Sequence, residues 1–249
     1  MKTGVLGTVA LAALLLVAAC GGNSAATQPA GTRVQASQPG QAGAPIDVAA
    51  IQAGTTALQT QHDSWQYTTT TYESGTPSFT QTIAGNQQTE PQTAYNATLT
   101  REGMPDKRYT RIGDDIWYDD GTGSYVQTTA SDSAVVSAYE PYSLDGLAQS
   151  AEQQGYQYLP VGEEKVGGVT TMHYRLDPAT IDSIVKDMQG VTAADWAADV
   201  YLAVDDGSLL RLAWGPKTAD DAQLTTGFDW MVTSIDCVCP VDPPAASPS

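Results

Sequence analysis

The sequence predicts an α+β domain in which a long antiparallel β-sheet carries two or three amphipathic helices on one face. Apolar and polar residues alternate with a period of two in many short segments, which is typical of strands with one buried face. Asp-Gly pairs separate some of these segments, and such pairs suit the tight turns of antiparallel hairpins. Other segments have apolar residues at helical spacing, and the sheet is the only surface on which those helices could pack.

Six segments show the period-two alternation most clearly, and two Asp-Gly turns connect strands. Asp120-Gly121 separates residues 116–118 from residues 125–126, and Asp206-Gly207 separates residues 201–204 from residues 209–214. The apolar or inward-facing sets of the six segments are Phe79/Gln81/Ile83, Tyr95/Ala97/Leu99, Met172/Tyr174/Leu176, Val200/Leu202/Val204, Leu210/Leu212/Trp214 and Phe228/Trp230/Val232.

Two segments have a helical period with clear boundaries. Ser143 can cap a helix that Gly155 stops. Asp177 followed by Pro178 is a helix N-cap with proline in the first position, and Gly190 suits the position after the last helical residue. A third helix near residues 46–59 is interrupted in its pattern by Gly54-Thr55-Thr56.

Composition limits the possible functions. The chain has 249 residues and a formal net charge of −17, from 28 acidic and 11 basic side chains. Phosphate contacts need clustered Lys and Arg, so we expect no nucleic-acid partner. Three cysteines and two histidines are few ligands for a metal, and we expect neither a metal nor a cofactor.

Residues 1–19 have the features of a signal peptide. Lys2 precedes the apolar stretch from Val5 to Ala19, which is shorter than the roughly 20 residues of a membrane-spanning helix. The segment Val17-Ala18-Ala19-Cys20 resembles the lipobox of bacterial lipoproteins, in which small residues precede a cysteine that is acylated. The resemblance implies lipidation of Cys20 and a mature protein anchored at the extracytoplasmic face of the cell membrane, since two acyl chains anchor stably.

Composition also predicts the domain boundaries. Residues 20–45 comprise the acylated cysteine and a segment with one charge and no aromatic residue, which predicts a flexible tether. All nineteen aromatic residues fall between Trp65 and Trp230, which predicts one folded domain at residues 46–239. The last ten residues, 240–249, contain four prolines and predict a disordered tail.

The second half of the domain resembles a known family. The segment from Glu164 to Asp177, the helix after it, and the segment from Asp199 to Leu212 follow one another as in lipoproteins of the LppX/LprG type and their LolA/LolB-like relatives. The resemblance covers about residues 60–240. It implies a curved antiparallel half-barrel with helices packed on its concave face, and a space between them that holds acyl chains of lipids or lipoproteins.

An internal apolar cavity is therefore the first candidate site. Its walls would come from apolar residues of the two better-defined helices, and the alternative is that the same residues interdigitate in a filled core. The candidate wall residues are Leu144, Leu147, Ile181, Ile184, Val185 and Met188.

Cys237 and Cys239 are the second candidate site. In a strand their Cα atoms would be about 6.5 to 7 Å apart, at the limit for a disulfide, so a bridge needs a local turn. An oxidising compartment favours the bridge over free thiols, and two ligands are too few for zinc. Cys20 would be unavailable for pairing because its sulfur is acylated.

The remaining polar motifs predict no catalytic site. The acidic pairs at 114–115, 119–120 and 205–206 are interpreted as turn residues. His62 and His173 are interpreted as solvated surface residues, and no motif of a known hydrolase or P-loop is present.

We therefore expect a non-enzymatic, membrane-anchored envelope lipoprotein that binds a lipid or acylated ligand for transport or presentation. The alternative is a structural, sensor or interaction module of the same fold, without a cavity, that acts on an envelope protein partner.

Overall fold

A computed structural model of the protein describes residues 43–73, 79–89, 92–132, 135, 154–187, 192–216 and 226–244. Cys20, Leu144, Leu147 and Met188 lie outside the described residues, as do most of the predicted tether and the predicted helix after Ser143.

The described residues form one twelve-stranded sheet and two helices. The strands pair in the order β1-β8-β9-β10-β11-β12-β2-β3-β4-β5-β6-β7, and every pair of neighbours is antiparallel. Because β1 and β7 are at opposite ends of this order, the sheet is open. The elements are β1 Ile46–Asp47, α1 Val48–Gln61, β2 Ser64–Glu73, β3 Phe79–Gln88, β4 Ala94–Arg101, β5 Lys107–Ile112, β6 Asp115–Asp119, β7 Val126–Thr129, β8 Gln157–Val166, β9 Val169–Leu176, α2 Pro178–Val185, β10 Trp196–Ala203, β11 Leu209–Pro216 and β12 Thr226–Ile235.

The six predicted alternating segments lie in β3, β4 and β9–β12, and both predicted turns are hairpin turns. The Asp120-Gly121 turn connects β6 to β7, and the Asp206-Gly207 turn connects β10 to β11. Gly121 and Gly207 have φ values of +92° and +77°, a region that glycine adopts without steric cost. The antiparallel α+β class predicted from the alternation and the turns is confirmed.

Helix α1 is the third predicted helix, and it runs through Gly54-Thr55-Thr56, where the apolar pattern is interrupted. It begins after Asp47, whose side chain accepts a hydrogen bond from Ala50 N at 3.1 Å, and continues without a break past Gly54. A Cβ at position 54 would lie 2.8 Å from Leu202 Cδ2 and 3.0 Å from the carbonyl oxygen of Gly207. The glycine is therefore a close-packing residue, which lets the helix lie against the β10–β11 hairpin, and the helix predicted near residues 46–59 is confirmed.

Helix α2 begins as predicted and is buried along one side. The Asp177 side chain caps it by accepting from Thr180 N at 3.1 Å, and Pro178 occupies the first turn. Ile181 and Val185 are buried. None of the helices in the described residues is long and apolar enough to cross a membrane.

The sheet bends strongly near the start of β9. A Cβ on Gly167, in the turn between β8 and β9, would lie 3.0 Å from the carbonyl oxygens of Val232 and Thr233 in β12. Strands β9 and β12 are three positions apart in the sheet, which is about 14 Å in a flat sheet. Contact between them therefore requires the sheet to curl over at this end.

The ordered chain continues past the end of β12. Asp236 has a φ of +48°, and Val241 is buried with its N–H donating to Gln88 Oε1 at 3.1 Å. The folded part of the chain therefore extends past Pro240, where the sequence placed the start of a disordered tail.

Candidate functional site

One face of the sheet, here called the inner face, is the face on which α1 lies. Leu202 contacts Gly54 of α1, and Val200 lies on the same side of β10. Val200 pairs with Leu212, Leu212 with Trp230, and Trp230 with Thr69. Side chains of directly paired residues point to the same side of a sheet, so the inner face is continuous from β10 to β2.

The inner face is apolar and rich in aromatic residues. Met172, Tyr174 and Leu176 of β9 extend it on one side, and Ile83 of β3 on the other, and all four are buried. Four of the five tryptophans of the chain belong to it. They are Trp65, Trp196, Trp214 and Trp230. The rings of Trp196 and Trp214 meet edge to face with centroids 6.1 Å apart. The inner face is therefore one broad hydrophobic surface.

The predicted cavity residues that the structure describes belong to the main buried cluster of the domain. Ile181 and Val185 lie in the same cluster as Leu176, Val200 and Leu202, and Ile184 is half-buried against it. The buried side of α2 therefore consists of residues of its apolar stripe. The other three predicted wall residues are Leu144, Leu147 and Met188, which lie outside the described residues.

Three hydroxyl groups interrupt the apolar inner face in a row along β2. Tyr67, Thr69 and Thr71 alternate along this strand and are 2%, 1% and 4% exposed. Within the described part of the chain, none of the three oxygens has a hydrogen-bond partner. Burial also raises the pKa of the Tyr67 hydroxyl above its usual range. A buried hydroxyl without a partner costs about 1 to 3 kcal/mol, so the row is an energetic liability of the chain by itself.

Sequence reasoning missed this row because the strand lacks a clear period. Residues 68–71 are four consecutive threonines, so both faces of β2 read as polar. The signal that could have been used is the β-propensity of a threonine run flanked by Trp65 and Tyr67.

A fourth unpartnered donor lies on the same face. Trp196 Nε1 is buried and has no partner in the described structure. An indole N–H can only donate, whereas a hydroxyl can donate or accept. The unsatisfied groups of the inner face are therefore all able to donate.

The interpretation of His173 as a solvated surface residue is wrong. His173 does lie on the face of β9 opposite the inner face, but it is only 8% exposed. Its Nδ1 lies 3.0 Å from Glu164 Oε1, its Nε2 lies 2.8 Å from Asp199 Oδ1, and its ring stacks on Tyr201 with centroids 4.3 Å apart. Pairing of neighbouring strands brings the ring and the two carboxylates together. The spacing of these residues along the sequence does not indicate that they are neighbours.

Asp199 also binds Arg175, whose Nη1 donates to it at 3.2 Å. Burial raises the pKa of Asp199, but the hydrogen bond from His173 and the charges of Arg175 and His173 outweigh it, so the pKa is lower than usual. His173, Glu164, Asp199 and Arg175 therefore form a compact polar cluster on the face of the sheet opposite the inner face, here called the outer face.

His62 is buried as well, and its predicted solvation is also wrong. It follows the last residue of α1 and is 8% exposed. Its Nε2 lies 2.9 Å from Asp206 Oδ2 and its Nδ1 lies 3.0 Å from Asp236 Oδ2. The ring therefore ties the end of α1 to the β10–β11 turn and to the residue after β12.

Two of the acidic pairs act in turns, as predicted. Asp119 Oδ1 accepts from the backbone N–H groups of Gly121, Thr122 and Gly123 at 2.8 to 3.0 Å. Asp206 Oδ1 accepts from Ser208 N at 2.8 Å. Within the described ranges, no three His, Cys, Asp or Glu side chains come together as a metal site would require.

Cys237 and Cys239 are joined by a disulfide in the structure. Their Cα atoms are 5.3 Å apart, closer than in an extended strand, and Cys239 N donates to the carbonyl oxygen of Cys237 at 2.9 Å. This tight turn brings the two residues within the range of a bridge.

Comparison with solved structures identifies similar architectures at low sequence identity. No family model matches the sequence, and no curated protein is significantly similar to it. The lipoprotein LppX of Mycobacterium tuberculosis has a TM-score of 0.47 and 14% identity, over 78% of this chain and 97% of that one. LprF of Mycobacterium bovis has the same TM-score and identity, over 80% and 97% of the two chains.

A more distant similarity is to the MucA/MucB complex of Pseudomonas aeruginosa. It has a TM-score of 0.34 and 14% identity, over 76% of this chain and 56% of that one. This chain is thus similar to LppX and LprF over most of its length, at low sequence identity.

Proposed function

We propose that the protein is an envelope lipoprotein that binds a lipid or acylated ligand between its sheet and its helices, for transport or presentation. In this proposal the open, bent sheet is a LolA-like half-barrel with the helices on its concave side. The ligand space is lined by residues of those helices, namely Leu144, Leu147, Ile181, Ile184, Val185 and Met188. No catalytic step is part of the function.

The observation that carries the proposal is the extent of the apolar inner face. Strands β9–β12, β2 and β3 contribute buried apolar side chains to one surface, and four tryptophans belong to it. Burial of apolar area is worth about 25 cal/mol per Å², so an acyl chain gains free energy by leaving water for such a surface. The resemblance of the segment order to LppX/LprG-type lipoproteins supports the same reading.

Membrane attachment is the second part of the proposal. The lipobox-like segment before Cys20 supports acylation of that cysteine, cleavage after Ala19, and a location at the extracytoplasmic face of the cell membrane. Residues 21–45 would then be a tether of about 25 to 30 Å as a random coil, long enough for the domain to reach the membrane surface. A net charge of −17 repels anionic lipid headgroups, so the acyl chains must supply the attachment.

Lipid mass spectrometry on protein purified from envelopes tests the proposal. The full-length chain should release an acyl-containing molecule that is not covalently attached, in about a one-to-one ratio. A Cys20→Ser variant is the matched control, since it should lose membrane attachment and still carry the same molecule. Protein that carries no lipid in either form would contradict the proposal and favour an interaction module with a filled core.

A further inference from the structure

The row of hydroxyls on β2 has the geometry of a ligand-binding subsite. Tyr67, Thr69 and Thr71 point to the same side of the strand, and consecutive members are about 6.8 Å apart, so the row is about 14 Å long. It lies beside Phe228 and Trp230, which pair with Thr71 and Thr69. An extended molecule lying along β2 would meet a polar group at regular intervals within an apolar surface.

The described part of the chain offers these hydroxyls no acceptor. Strand β2 is paired on both sides, with β12 and with β3, so its neighbouring backbone carbonyls are used in the sheet. Across the described residues the three oxygens and Trp196 Nε1 have no hydrogen-bond partner. Native proteins rarely leave several adjacent buried donors unsatisfied, which indicates that an acceptor from outside the chain completes them.

The apolar side chains around the three hydroxyls favour a hydrogen-bond acceptor without a charge. No lysine or arginine stands at an inner-face position of the described strands β9–β12, β2 and β3. A carboxylate or phosphate placed there would be buried without a counter-charge, which is highly unfavourable. The net charge of −17 disfavours anionic ligands further. A carbonyl oxygen is neutral, accepts hydrogen bonds and occurs within the acyl region of ester-linked lipids.

We infer that Tyr67, Thr69 and Thr71 form a hydrogen-bonding subsite for the ester carbonyls of an uncharged lipid bound on the inner face. The inference rests on the proposed function and adds the class of ligand to it. The hydroxyls donate to the carbonyl oxygens, while the acyl chains contact the aromatic residues of β10–β12. The subsite thus discriminates ester-linked lipids from lipids of the same shape that lack carbonyls.

The test compares two lipids that differ in the carbonyls alone. Full-length protein is titrated with fluorescent dioleoylglycerol and with the corresponding dioleyl ether of glycerol. Loss of two hydrogen bonds corresponds to about a tenfold change in affinity, so the wild-type protein should bind the ester about tenfold more tightly. The double variant T69V/T71V keeps the shape of both side chains but leaves only the Tyr67 hydroxyl, so its preference for the ester should be clearly smaller than that of the wild type.

Two further variants keep the result interpretable. T68V/T70V changes the same residue type on the opposite face of β2 and should retain the ester preference. Tyr67→Phe removes the third hydroxyl and should also reduce the preference, and it serves as the test if T69V/T71V does not fold. Equal binding of ester and ether by wild-type protein, or an undiminished preference in a folded T69V/T71V, would overturn the subsite and leave the proposed function standing. Binding of neither lipid would overturn the proposed function itself.

Discussion

His173 and Asp199 lie on neighbouring strands, with Nε2 of the ring 2.8 Å from Oδ1 of the carboxylate and both side chains buried. The carboxylate also binds Arg175, so one buried anion holds two nitrogen groups on the outer face. Glu164 occupies the other side of the ring. An imidazole donates to both carboxylates only when both of its nitrogens carry hydrogen. The contacts join β8, β9 and β10 and stabilise the sheet opposite its apolar face.

Asp199→Asn should destabilise the protein and reduce its sensitivity to acid. Removing the charge leaves Arg175 without its buried partner, which costs about 3 kcal/mol. The folded pKa of Asp199 is lowered, so the carboxylate stabilises the folded state above its unfolded pKa of about 3.9 and loses that effect as the pH falls through the folded value. Urea unfolding at pH 7 and pH 3 should show a smaller loss of stability between the two pH values for the variant.

The control for that experiment is Glu163→Gln, which changes an exposed carboxylate on β8 next to Glu164. It should leave the unfolding free energy at pH 7 unchanged and retain the wild-type loss at pH 3. An Asp199→Asn protein as stable as wild type at pH 7 would show that the cluster does not hold the strands together.

Asp206→Asn should weaken the attachment of α1 to the β10–β11 turn. The carboxylate accepts from Ser208 N at 2.8 Å and lies 2.9 Å from His62 Nε2. Hydrogen bonds to charged groups contribute about 1 to 3 kcal/mol, and Asn keeps part of this, so the expected loss is about 1 to 2 kcal/mol. Chemical denaturation measures it. The neighbouring variant Asp205→Asn changes an exposed residue and should have no effect. Equal effects of the two variants would contradict the role of His62 as a link.

Gly54→Ala should destabilise the protein, although the same change in an exposed helix is stabilising. The added Cβ would lie 2.8 Å from Leu202 Cδ2 and 3.0 Å from Gly207 O, so α1 must move away from the hairpin. Overpacking of this kind costs about 1 to 3 kcal/mol. Thermal unfolding should show a lower Tm. Thr56→Ala, on the exposed side of α1, is the matched control and should leave the Tm unchanged or raise it slightly. A higher Tm for Gly54→Ala would be inconsistent with close packing at this point.

Ile181→Ala should be the more damaging of two substitutions in α2. Ile181 is fully buried in the main apolar cluster of the domain, and truncation of such a residue costs about 2 to 5 kcal/mol. Ile184, one turn along, is half-buried, and Ile184→Ala should cost less than half as much. Equilibrium unfolding of both variants gives the comparison. Equal losses would show that α2 does not pack on the sheet through the side that its spacing predicts.

Much of the fold could be predicted from local patterns. The alternation in β3, β4 and β9–β12, the Asp-Gly turns and the cap at Asp177 are each set by residues close together in the chain. These signals depend on backbone geometry and on which side of an element is apolar, and both are visible in sequence. The packing role of Gly54 could not be predicted in this way, because it is set by a hairpin about 150 residues away.

The sequence by itself determined the antiparallel α+β class and the two Asp-Gly hairpin turns, and it contains the lipobox-like segment that predicts a membrane anchor. Only the tertiary structure decided that both histidines are buried between carboxylates and that the hydroxyls of Tyr67, Thr69 and Thr71 lie unpartnered in the core. The physical reason is the same in each case. Whether a buried polar side chain finds a hydrogen-bond partner depends on groups that the sheet brings from distant parts of the chain. The order of the strands decides which groups those are, and no local spacing in the sequence encodes that order.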